Sequence, residues 1–284
     1  MKFNIKRVLV IANLLKPNAE RITEDIRAHL GQQGIDVVVF GFRGRSEDPE
    51  LDHYDLAISL GGDGTVLYSS RVVCEREIPI LPVNLGDFGF ITEVTQDEWS
   101  DVFERYRSGL IDAGPRLLID VAVERGGSRI AGYVGLNDAV VSAAGISKIV
   151  KLSVELTEAS LGRYRADGMI VATPTGSTAY SAAAGGPILH PEMNALILNP
   201  ICPFTLSHRP IVLPPDEVVT MTVDSEQRTS LLMTVDGQSE LHLESGDRIT
   251  VRASARKAHI IRSNKRTFYE VLRSKLNWSG GPDA

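Results

Sequence analysis

The residues best suited to chemistry lie in the segment GGDGT, Gly61–Thr65. The preceding residues, 56–60, are apolar apart from one serine and predict a short buried strand. Three glycines in four positions permit positive φ and let a ligand approach the bare backbone. Thr65 can cap a helix over residues 66–73, so the pattern of strand, glycine turn and helix start predicts a phosphate site.

Asp63 is the unusual member of this loop. A carboxylate repels a phosphate unless it binds a metal or accepts a hydrogen bond from a substrate hydroxyl. A plain Asp-Gly turn is the alternative, but such a turn requires one glycine and this loop has three. Asp63 is therefore a candidate either to bind a metal or to accept a hydrogen bond from a substrate hydroxyl.

A second glycine-containing turn, residues 84–90, follows a predicted strand over residues 78–83. The carboxyl ends of parallel strands share one edge of a sheet, so this turn and Gly61–Thr65 are expected to flank a common crevice. Phe90 could wall a base or simply cap the core, and both interpretations stay open.

A third unusual stretch runs from Arg165 to Ser181. Residues 169–172 predict a short apolar strand, after which Ser177 or Thr178 can cap a short helix over residues 179–184. Hydroxyl groups and free N–H groups at a helix start suit a polar ligand. An ordinary capped helix is the alternative.

Two further polar clusters are ambiguous by themselves. Asn137-Asp138 lies between apolar segments and is typical of either a turn or a site. Asp236-Gly237-Gln238 follows a predicted strand and, taken alone, is typical of a hairpin turn.

The elements that must position these residues change in character near residue 115. Before it, strands alternate with helices, which predicts a parallel sheet. After it, strands follow one another with almost no helix, which predicts a largely antiparallel β domain. Strands are expected over residues 117–123, 129–136, 150–156, 162–164, 218–223, 230–235, 248–253 and 259–262. The domain prediction is 1–112 for the α/β part and 113–265 for the β part, with a helix at 266–278 packing back on the first.

Composition narrows the class of protein. The chain has 284 residues, a net charge of −6 and a pI near 5.6, which argues against nucleic acid as the main partner. It contains two cysteines far apart in sequence, so neither a disulfide framework nor a Cys zinc site is indicated. No apolar run approaches the ~20 residues that span a bilayer, and the N-terminus is not a signal peptide. A soluble cytoplasmic protein without a membrane partner is expected.

Taken together, these segments resemble the bacterial type of NAD kinase, which phosphorylates the 2′-hydroxyl of the adenosine ribose of NAD. GGDGT alone is not specific, because lipid kinases carry it too; the block from Asp167 to Pro191 is much more specific. The resemblance covers nearly the whole chain. One departure is Asn137-Asp138, where the family usually has Asn-Glu, so a shorter side chain reaches toward the substrate.

The resemblance implies a Rossmann-like α/β domain, a C-terminal antiparallel β-sandwich domain and NAD bound between them. It implies ATP, or polyphosphate in some members, with Mg²⁺, and a homodimer or homotetramer in which a neighbour completes the site. Asp63 would accept the ribose proton; no residue is assigned as a metal ligand. The residues implied to contact the nucleotides are Asp63, Gly64, Phe90, Asn137, Asp138, Lys148, Arg165, Asp167, Thr178, Ala179, Tyr180, Ser181, Ala182, Ala183 and Gln238.

Two rival functions remain at this point. A lipid kinase could share the glycine loop, but it would need an apolar or basic membrane-facing stretch that the β half does not display. A non-catalytic NAD(P) sensor could use the same fold, but it would not need Asp63. Formation of NADP⁺ from NAD⁺, ATP and Mg²⁺ distinguishes the three.

Overall fold

The computed structural model describes residues 3–44, 51–86, 88–145, 149–205, 207–263 and 265–277. The chain divides into two compact units. The first comprises Met1–Pro115 together with Ala258–Ala284, and the second comprises Arg116–Lys257. No helix in the described parts is long and apolar enough to cross a membrane.

The N-terminal part of the first unit alternates strands and helices, as the sequence predicts. Its elements are β1 (Arg7–Asn13), α1 (Ala19–Gln32), β2 (Asp36–Phe42), β3 (Leu56–Gly61), α2 (Asp63–Val73), β4 (Ile80–Asn84), β5 (Val94–Thr95) and α3 (Trp99–Arg107). Neighbouring strands pair in parallel in the order β2-β1-β3-β4, with β5 beside β4. The predicted α/β architecture is confirmed.

This strand order creates a switch point at the carboxyl ends of β1 and β3. The chain leaves β1 toward β2 on one side and later adds β3 on the other. In open parallel sheets, ligands bind in the crevice that such a reversal opens. The glycine loop follows β3 directly and therefore lies at this edge.

Apolar spacing explains how the helices pack on the sheet. In α1, Ile22, Ile26 and Leu30 recur at four-residue intervals and are almost completely buried. They pack on β-sheet residues such as Val10 and Ile58, which are also completely buried. Each fully buried aliphatic side chain stabilises the fold by about 2 kcal/mol, so this layer fixes the strands that carry the loops.

The second unit is built almost entirely of strands. In chain order they are β6 (Ala113–Arg125), β7 (Ser128–Gly135), β8 (Asp138–Ala143), β9 (Val150–Glu155), β10 (Ser160–Ala166), β11 (Gly168–Ala172), β12 (Leu196–Ile201), β13 (Ile211–Leu213), β14 (Val218–Val223), β15 (Leu231–Val235), β16 (Ser239–Leu243) and β17 (Arg248–Ile261), with the short helix α4 (Tyr180–Ala183) between β11 and β12. One sheet has the antiparallel order β13-β12-β11-β8-β15-β16.

The other strands of this unit form a second layer against that sheet. Ile119 of β6 and Val251 of β17 share one buried core with Val141 of β8 and Met233 of β15. Side chains from two facing sheets that interdigitate in this way define a sandwich. The predicted C-terminal β-sandwich is confirmed.

The end of the chain differs from the prediction in one respect. The separate strands expected at 248–253 and 259–262 are one continuous strand, β17, whose last residues belong to the first unit. Ile260 there pairs with Ile80 of β4 in parallel. Helix α5 (Phe268–Lys275) follows, and Thr267 caps it through a reciprocal hydrogen-bond pair with Glu270.

Candidate active site

The glycine loop has a different conformation from the one predicted. Helix α2 begins at Asp63 with Gly62 as its N-cap, so Thr65 lies inside the first turn and is not the cap. Gly62 has a φ of −122°, and neither Gly61 nor Gly64 has a positive φ. Close packing explains Gly61 instead, since a Cβ there would lie 2.1 Å from Thr65 Oγ1.

Asp63 is held by four hydrogen bonds from the turn after β4. Its Oδ1 accepts from Ile91 N at 3.1 Å, Thr92 N at 3.0 Å and Thr92 Oγ1 at 2.8 Å. Its Oδ2 accepts from Phe90 N at 2.8 Å. A carboxylate offers about four acceptor positions, two on each oxygen. Oδ1 is therefore fully used, whereas Oδ2 retains capacity for another donor.

The two loops predicted to share a crevice are in direct contact. Gly61 pairs with Asn84, and Leu85 N donates to Gly61 O at 2.9 Å. Gly89 permits the approach to Asp63, because a Cβ at Gly89 would lie 2.0 Å from Asp63 Oδ1. Phe90 is half-buried beside this contact and Gly64 is exposed. Asp87 of the same turn lies outside the described residues.

In the second unit, Asn137 and Asp138 lie at the start of β8, where a neighbouring hairpin forms hydrogen bonds with their backbone. Asp236 and Gly237 have φ values of 54° and 63°, which is the turn geometry predicted for the β15–β16 hairpin. The Asp236 carboxylate accepts from Leu136 N at 2.8 Å, Asn137 N at 2.7 Å and Asp138 N at 3.2 Å. The hairpin thus fixes the backbone of the polar pair.

Asp138 is a buried carboxyl group, 5% exposed. Burial, and then the negative charge of Asp236, raise the pKa of Asp138 to about 7. Near neutral pH this carboxyl is therefore divided between a protonated form that can donate a hydrogen bond and an ionised form that cannot.

The segment after β11 packs directly on this pair. Thr173 N donates to Asn137 O at 2.8 Å, and Thr173 Oγ1 donates to Leu136 O at 2.6 Å. Gly176 is required by its neighbour, because a Cβ there would lie 2.1 Å from Asn137 O. Residues far apart in sequence therefore meet at one place.

Two buried polar atoms at this place have no hydrogen-bond partner among the described residues. They are Asn137 Oδ1 and Thr175 Oγ1. Buried polar atoms in folded proteins are almost always paired, and an unpaired one points to a missing ligand or water. Both atoms are thus candidates to bind a polar ligand.

The predicted helix in this segment is shorter than expected and differently capped. Residues Gly176–Thr178 form a 3-10 turn, Ala179 is the N-cap of α4, and no side chain caps it. Ser177 Oγ bonds instead to Pro174 O at 2.6 Å.

The six predicted contact residues of this segment differ in exposure. Tyr180 and Ala183 are exposed, and Thr178, Ala179 and Ala182 are half-buried. Ser181 is completely buried, and its carbonyl accepts a hydrogen bond from Asn199 Nδ2 at 2.9 Å. Ser181 therefore connects this segment to β12 through a hydrogen bond.

Arg165 and Asp167 do not join this group. Both are exposed, and Arg165 lies over the Phe204 ring with its Cζ 5.1 Å from the centroid. Asp167 precedes β11, whereas Asp138 pairs with Ala172 at the other end of that strand. Five residues of extended strand separate the two ends by roughly 16 Å.

Two remaining predictions concern single residues. Gln238 is half-buried in the hairpin turn, where its N–H donates to Val235 O at 3.0 Å. Lys148 lies outside the described residues. Within the described ranges, no three His, Cys, Asp or Glu side chains are grouped so as to hold a metal ion.

Sequence reasoning missed the structural role of three residues at these places. Thr92 and Asp236 form hydrogen bonds with site residues that lie far away in sequence, and the buried Thr175 Oγ1 has no hydrogen-bond partner among the described residues. The Asp-Gly pair signalled a hairpin, but no pattern in the sequence told which amides the Asp236 carboxylate would meet.

Comparisons with known proteins agree with both units. Residues 43–111 match the ATP-NAD kinase N-terminal domain, and residues 136–263 match the ATP-NAD kinase C-terminal domain. Among curated relatives, the NAD kinase of Treponema denticola is 44% identical over 277 residues, covering 97% of this chain and 98% of that protein. The NAD kinase of Geobacter sulfurreducens is 38% identical, covering 96% of this chain and 99% of that protein.

Solved structures give the same result. Yeast NADH kinase in complex with NADH superimposes with a TM-score of 0.85 at 25% identity, covering 99% of this chain and 89% of that one. The NAD kinase of Archaeoglobus fulgidus in complex with ATP gives a TM-score of 0.75 at 24% identity, covering 97% and 100%, which indicates a shared fold.

The fold of the two units and the matched family domains define a two-domain phosphotransferase that acts on a nucleotide. More particularly, the chain belongs to the ATP-NAD kinase family, and it is an enzyme, a kinase that phosphorylates NAD.

Proposed function

We propose that the chain transfers the terminal phosphoryl group of ATP to the 2′-hydroxyl of the adenosine ribose of NAD, giving NADP and ADP. Polyphosphate is the alternative donor. The observation that carries the proposal is the Asp63 carboxylate, which is fixed at the start of a helix with one oxygen still able to accept a proton.

The α/β domain, predicted to span residues 1–112, is proposed as the phosphate-donor domain. The glycine loop leaves β3 at the switch point of a parallel sheet, and a helix begins immediately after it. Helix N-termini favour anions through the dipole. The Archaeoglobus NAD kinase was solved with ATP, which supports the same donor here.

The β domain, predicted to span residues 113–265, is proposed as the NAD-binding domain. Asn137 and Asp138 are assigned to the adenosine ribose or adenine, and the segment Thr178–Ala183 with Gln238 to the surrounding wall. The unpaired Asn137 Oδ1 and the exposed Tyr180 ring support these roles. Yeast NADH kinase was solved with NADH, a closely related dinucleotide.

In the proposed step, Asp63 Oδ2 accepts the proton of the 2′-hydroxyl as the ribose oxygen bonds to the γ-phosphorus. The bond between that phosphorus and the bridging oxygen breaks, and ADP leaves. Phosphoryl transfer depends mainly on alignment and charge neutralisation. A carboxylate is a weak base, so Asp63 contributes chiefly by orienting the hydroxyl, with proton transfer late.

Mg²⁺ is proposed to enter as the MgATP complex, as a component of the substrate. Magnesium in kinases is commonly held by one or two carboxylates together with the nucleotide phosphates. No chain residue is assigned as its ligand, in keeping with the full use of Asp63 Oδ1 by loop donors.

A homodimer or homotetramer is proposed as the active form. Arg165 is assigned to phosphate or ribose oxygens of NAD, and Asp167 to the nicotinamide end. Because Asp167 lies roughly 16 Å along β11 from Asp138, a neighbouring copy is proposed to supply this pair. A cytoplasmic location is proposed as well, in keeping with the free thiols of Cys74 and Cys202.

The test is a coupled assay for NADP⁺ formed from NAD⁺, ATP and Mg²⁺ by wild type and Asp63→Asn. Asparagine keeps an oxygen for the three donors on Oδ1 but places an amide opposite Phe90 N. Loss of a positioned base typically costs about 10²–10⁴ in rate, so kcat should fall by that factor while NAD binding persists.

Asp55→Asn is the matched control. Its Oδ2 also accepts two backbone N–H groups, from Lys6 at 2.7 Å and Arg7 at 2.9 Å, at another place in the first unit. Near wild-type kcat in Asp63→Asn would remove Asp63 from the mechanism. Tight NAD binding without any product from wild type would support the sensor, and phosphorylation of a lipid would support the lipid kinase.

A further inference from the structure

Thr92 connects the Asp63 carboxylate to β4. It is completely buried, and its Oγ1 lies 2.8 Å from Asp63 Oδ1. Asn84, the last residue of β4, places its Nδ2 3.2 Å from Thr92 Oγ1 and 3.2 Å from Thr92 O. The three side chains form a chain of hydrogen bonds that runs from the buried Asn84 and Thr92 to the half-buried Asp63.

The direction of each hydrogen bond in this chain is determined by chemistry. Gly86 N–H, which can only donate, lies 2.7 Å from Asn84 Oδ1 and identifies that atom as the oxygen. The Asn84 amide nitrogen must then donate to Thr92 Oγ1. Since a hydroxyl has one proton, Thr92 donates that proton to Asp63 Oδ1.

This directed bond makes the two oxygens of Asp63 unequal. Among the described residues, Oδ1 receives the Thr92 hydroxyl and two backbone N–H groups, whereas Oδ2 receives only the Phe90 N–H. Hydrogen bonds to an ionised group are shorter and stronger than those between neutral groups. The orientation of the carboxylate is thereby fixed.

We propose that Thr92, oriented by Asn84, is a positioning residue that commits Asp63 Oδ1 to the protein and leaves Oδ2 as the oxygen that accepts the substrate proton. This inference rests on the role proposed for Asp63. According to this proposal, kcat depends on the hydroxyl group of Thr92, and the backbone N–H of Thr92 cannot replace it.

The experiment compares Thr92→Val, which removes the hydroxyl at constant shape, with Thr92→Ser, which keeps it. In Thr92→Val, kcat should fall about 10- to 100-fold, the range expected for one hydrogen bond to a charged group. KM for NAD and for ATP should change by less than about twofold, because Thr92 is not proposed to contact either bound substrate. Thr92→Ser should restore most of kcat.

Thr23→Val is the matched control for the loss of a buried threonine hydroxyl. Thr23 Oγ1 donates to Ala19 O at 2.7 Å inside α1, and the residue is 4% exposed. Thr23→Val should lower the melting temperature without changing kcat. If Thr92→Val loses its folded circular dichroism spectrum, Thr92→Ala provides the same comparison with Thr92→Ser.

A double-mutant cycle tests the role of Thr92 separately from the role proposed for Asp63. If Thr92 acts through Asp63, Thr92→Val should have little further effect on kcat in the Asp63→Asn background. Wild-type turnover in Asp63→Asn would overturn the proposed role of Asp63. Two results would overturn the role of Thr92 and leave that of Asp63 intact. In the first, Asp63→Asn loses turnover but Thr92→Val keeps the wild-type kcat. In the second, Thr92→Val lowers kcat by the same factor in the Asp63→Asn background as in the wild type.

Discussion

Two carboxyl groups interact in the second unit, that of the buried Asp138 and that of the half-buried Asp236. The Asp236 carboxylate accepts hydrogen bonds from three backbone N–H groups, and its negative charge acts on Asp138. Burial first, and the charge of Asp236 second, raise the pKa of Asp138 to about 7. In an unfolded chain an aspartate titrates near pH 4.

This difference predicts a pH-dependent stability with a definite sign. Between about pH 4 and 7 the folded state binds more protons at Asp138 than the unfolded state. The contribution of this group to stability therefore falls as the pH rises through that window and is constant above it. Asp138→Asn should gain up to a few kcal/mol relative to wild type between pH 5 and pH 8, measured by chemical denaturation.

Asp247→Asn is the control of opposite sign. Burial opposes ionisation of Asp247, but hydrogen bonds from Arg125 and from Glu244 N outweigh it and lower its pKa. Its stabilisation is therefore present at neutral pH and lost in acid, so Asp247→Asn should be destabilised most at neutral pH. A constant difference between Asp138→Asn and wild type across pH would contradict the predicted shift.

At the scale of elements, the glycine loop depends on close packing between its first residue and the first turn of α2. A Cβ at Gly61 would lie 2.1 Å from Thr65 Oγ1 and 2.8 Å from Thr65 Cβ. Gly61→Ala must therefore displace the helix start that carries Asp63. We expect a loss of kcat of about 10²-fold or more, as small misplacements of catalytic groups typically cause.

Gly31→Ala is the control for this prediction. Gly31 lies inside α1 and has no positive φ, and among the described residues no atom outside its own stretch of helix lies within 4 Å of its ideal Cβ position. Replacing a helical glycine with alanine stabilises by about 0.5–1 kcal/mol. Gly31→Ala should keep full activity and melt at a slightly higher temperature; full activity in Gly61→Ala would contradict the packing argument.

The β15–β16 hairpin is the corresponding element in the second unit. Asp236→Ala removes the acceptor for three N–H groups of residues 136–138 and should disorder the proposed ribose contact. KM for NAD should rise at least tenfold while KM for ATP stays within about twofold. Glu217→Ala, which removes an acceptor of Thr157 N and Val218 N, should leave both constants unchanged.

At the scale of the whole molecule, the prediction concerns assembly. Light scattering should give two or four times the 30.9 kDa chain mass at assay concentration. If neighbouring copies share sites, mixing inactive Asp63→Asn with inactive Asp167→Ala should restore about a quarter of wild-type activity by statistical subunit exchange in a symmetric dimer. A fully active monomer would exclude the shared site.

The sequence by itself determined the element types, because strand and helix periodicities are local properties of the chain. Alternating strands and helices indicated the α/β part, and the run of strands indicated the sandwich. The candidate residues also came from the sequence, since GGDGT and the block after Asp167 are contiguous motifs. Local capping rules were less successful: neither Thr65 nor Ser177 caps a helix.

Only the tertiary structure decided which groups meet. Thr92 reaches Asp63 across 29 residues, and Asp236 reaches Asn137 across 99. Such contacts depend on strand order and register, which bring distant segments together. Neither property produces a repeating pattern of residues that could be recognised in the sequence. The unequal oxygens of Asp63 and the raised pKa of Asp138 follow from those contacts, because hydrogen bonding and burial are properties of the folded chain.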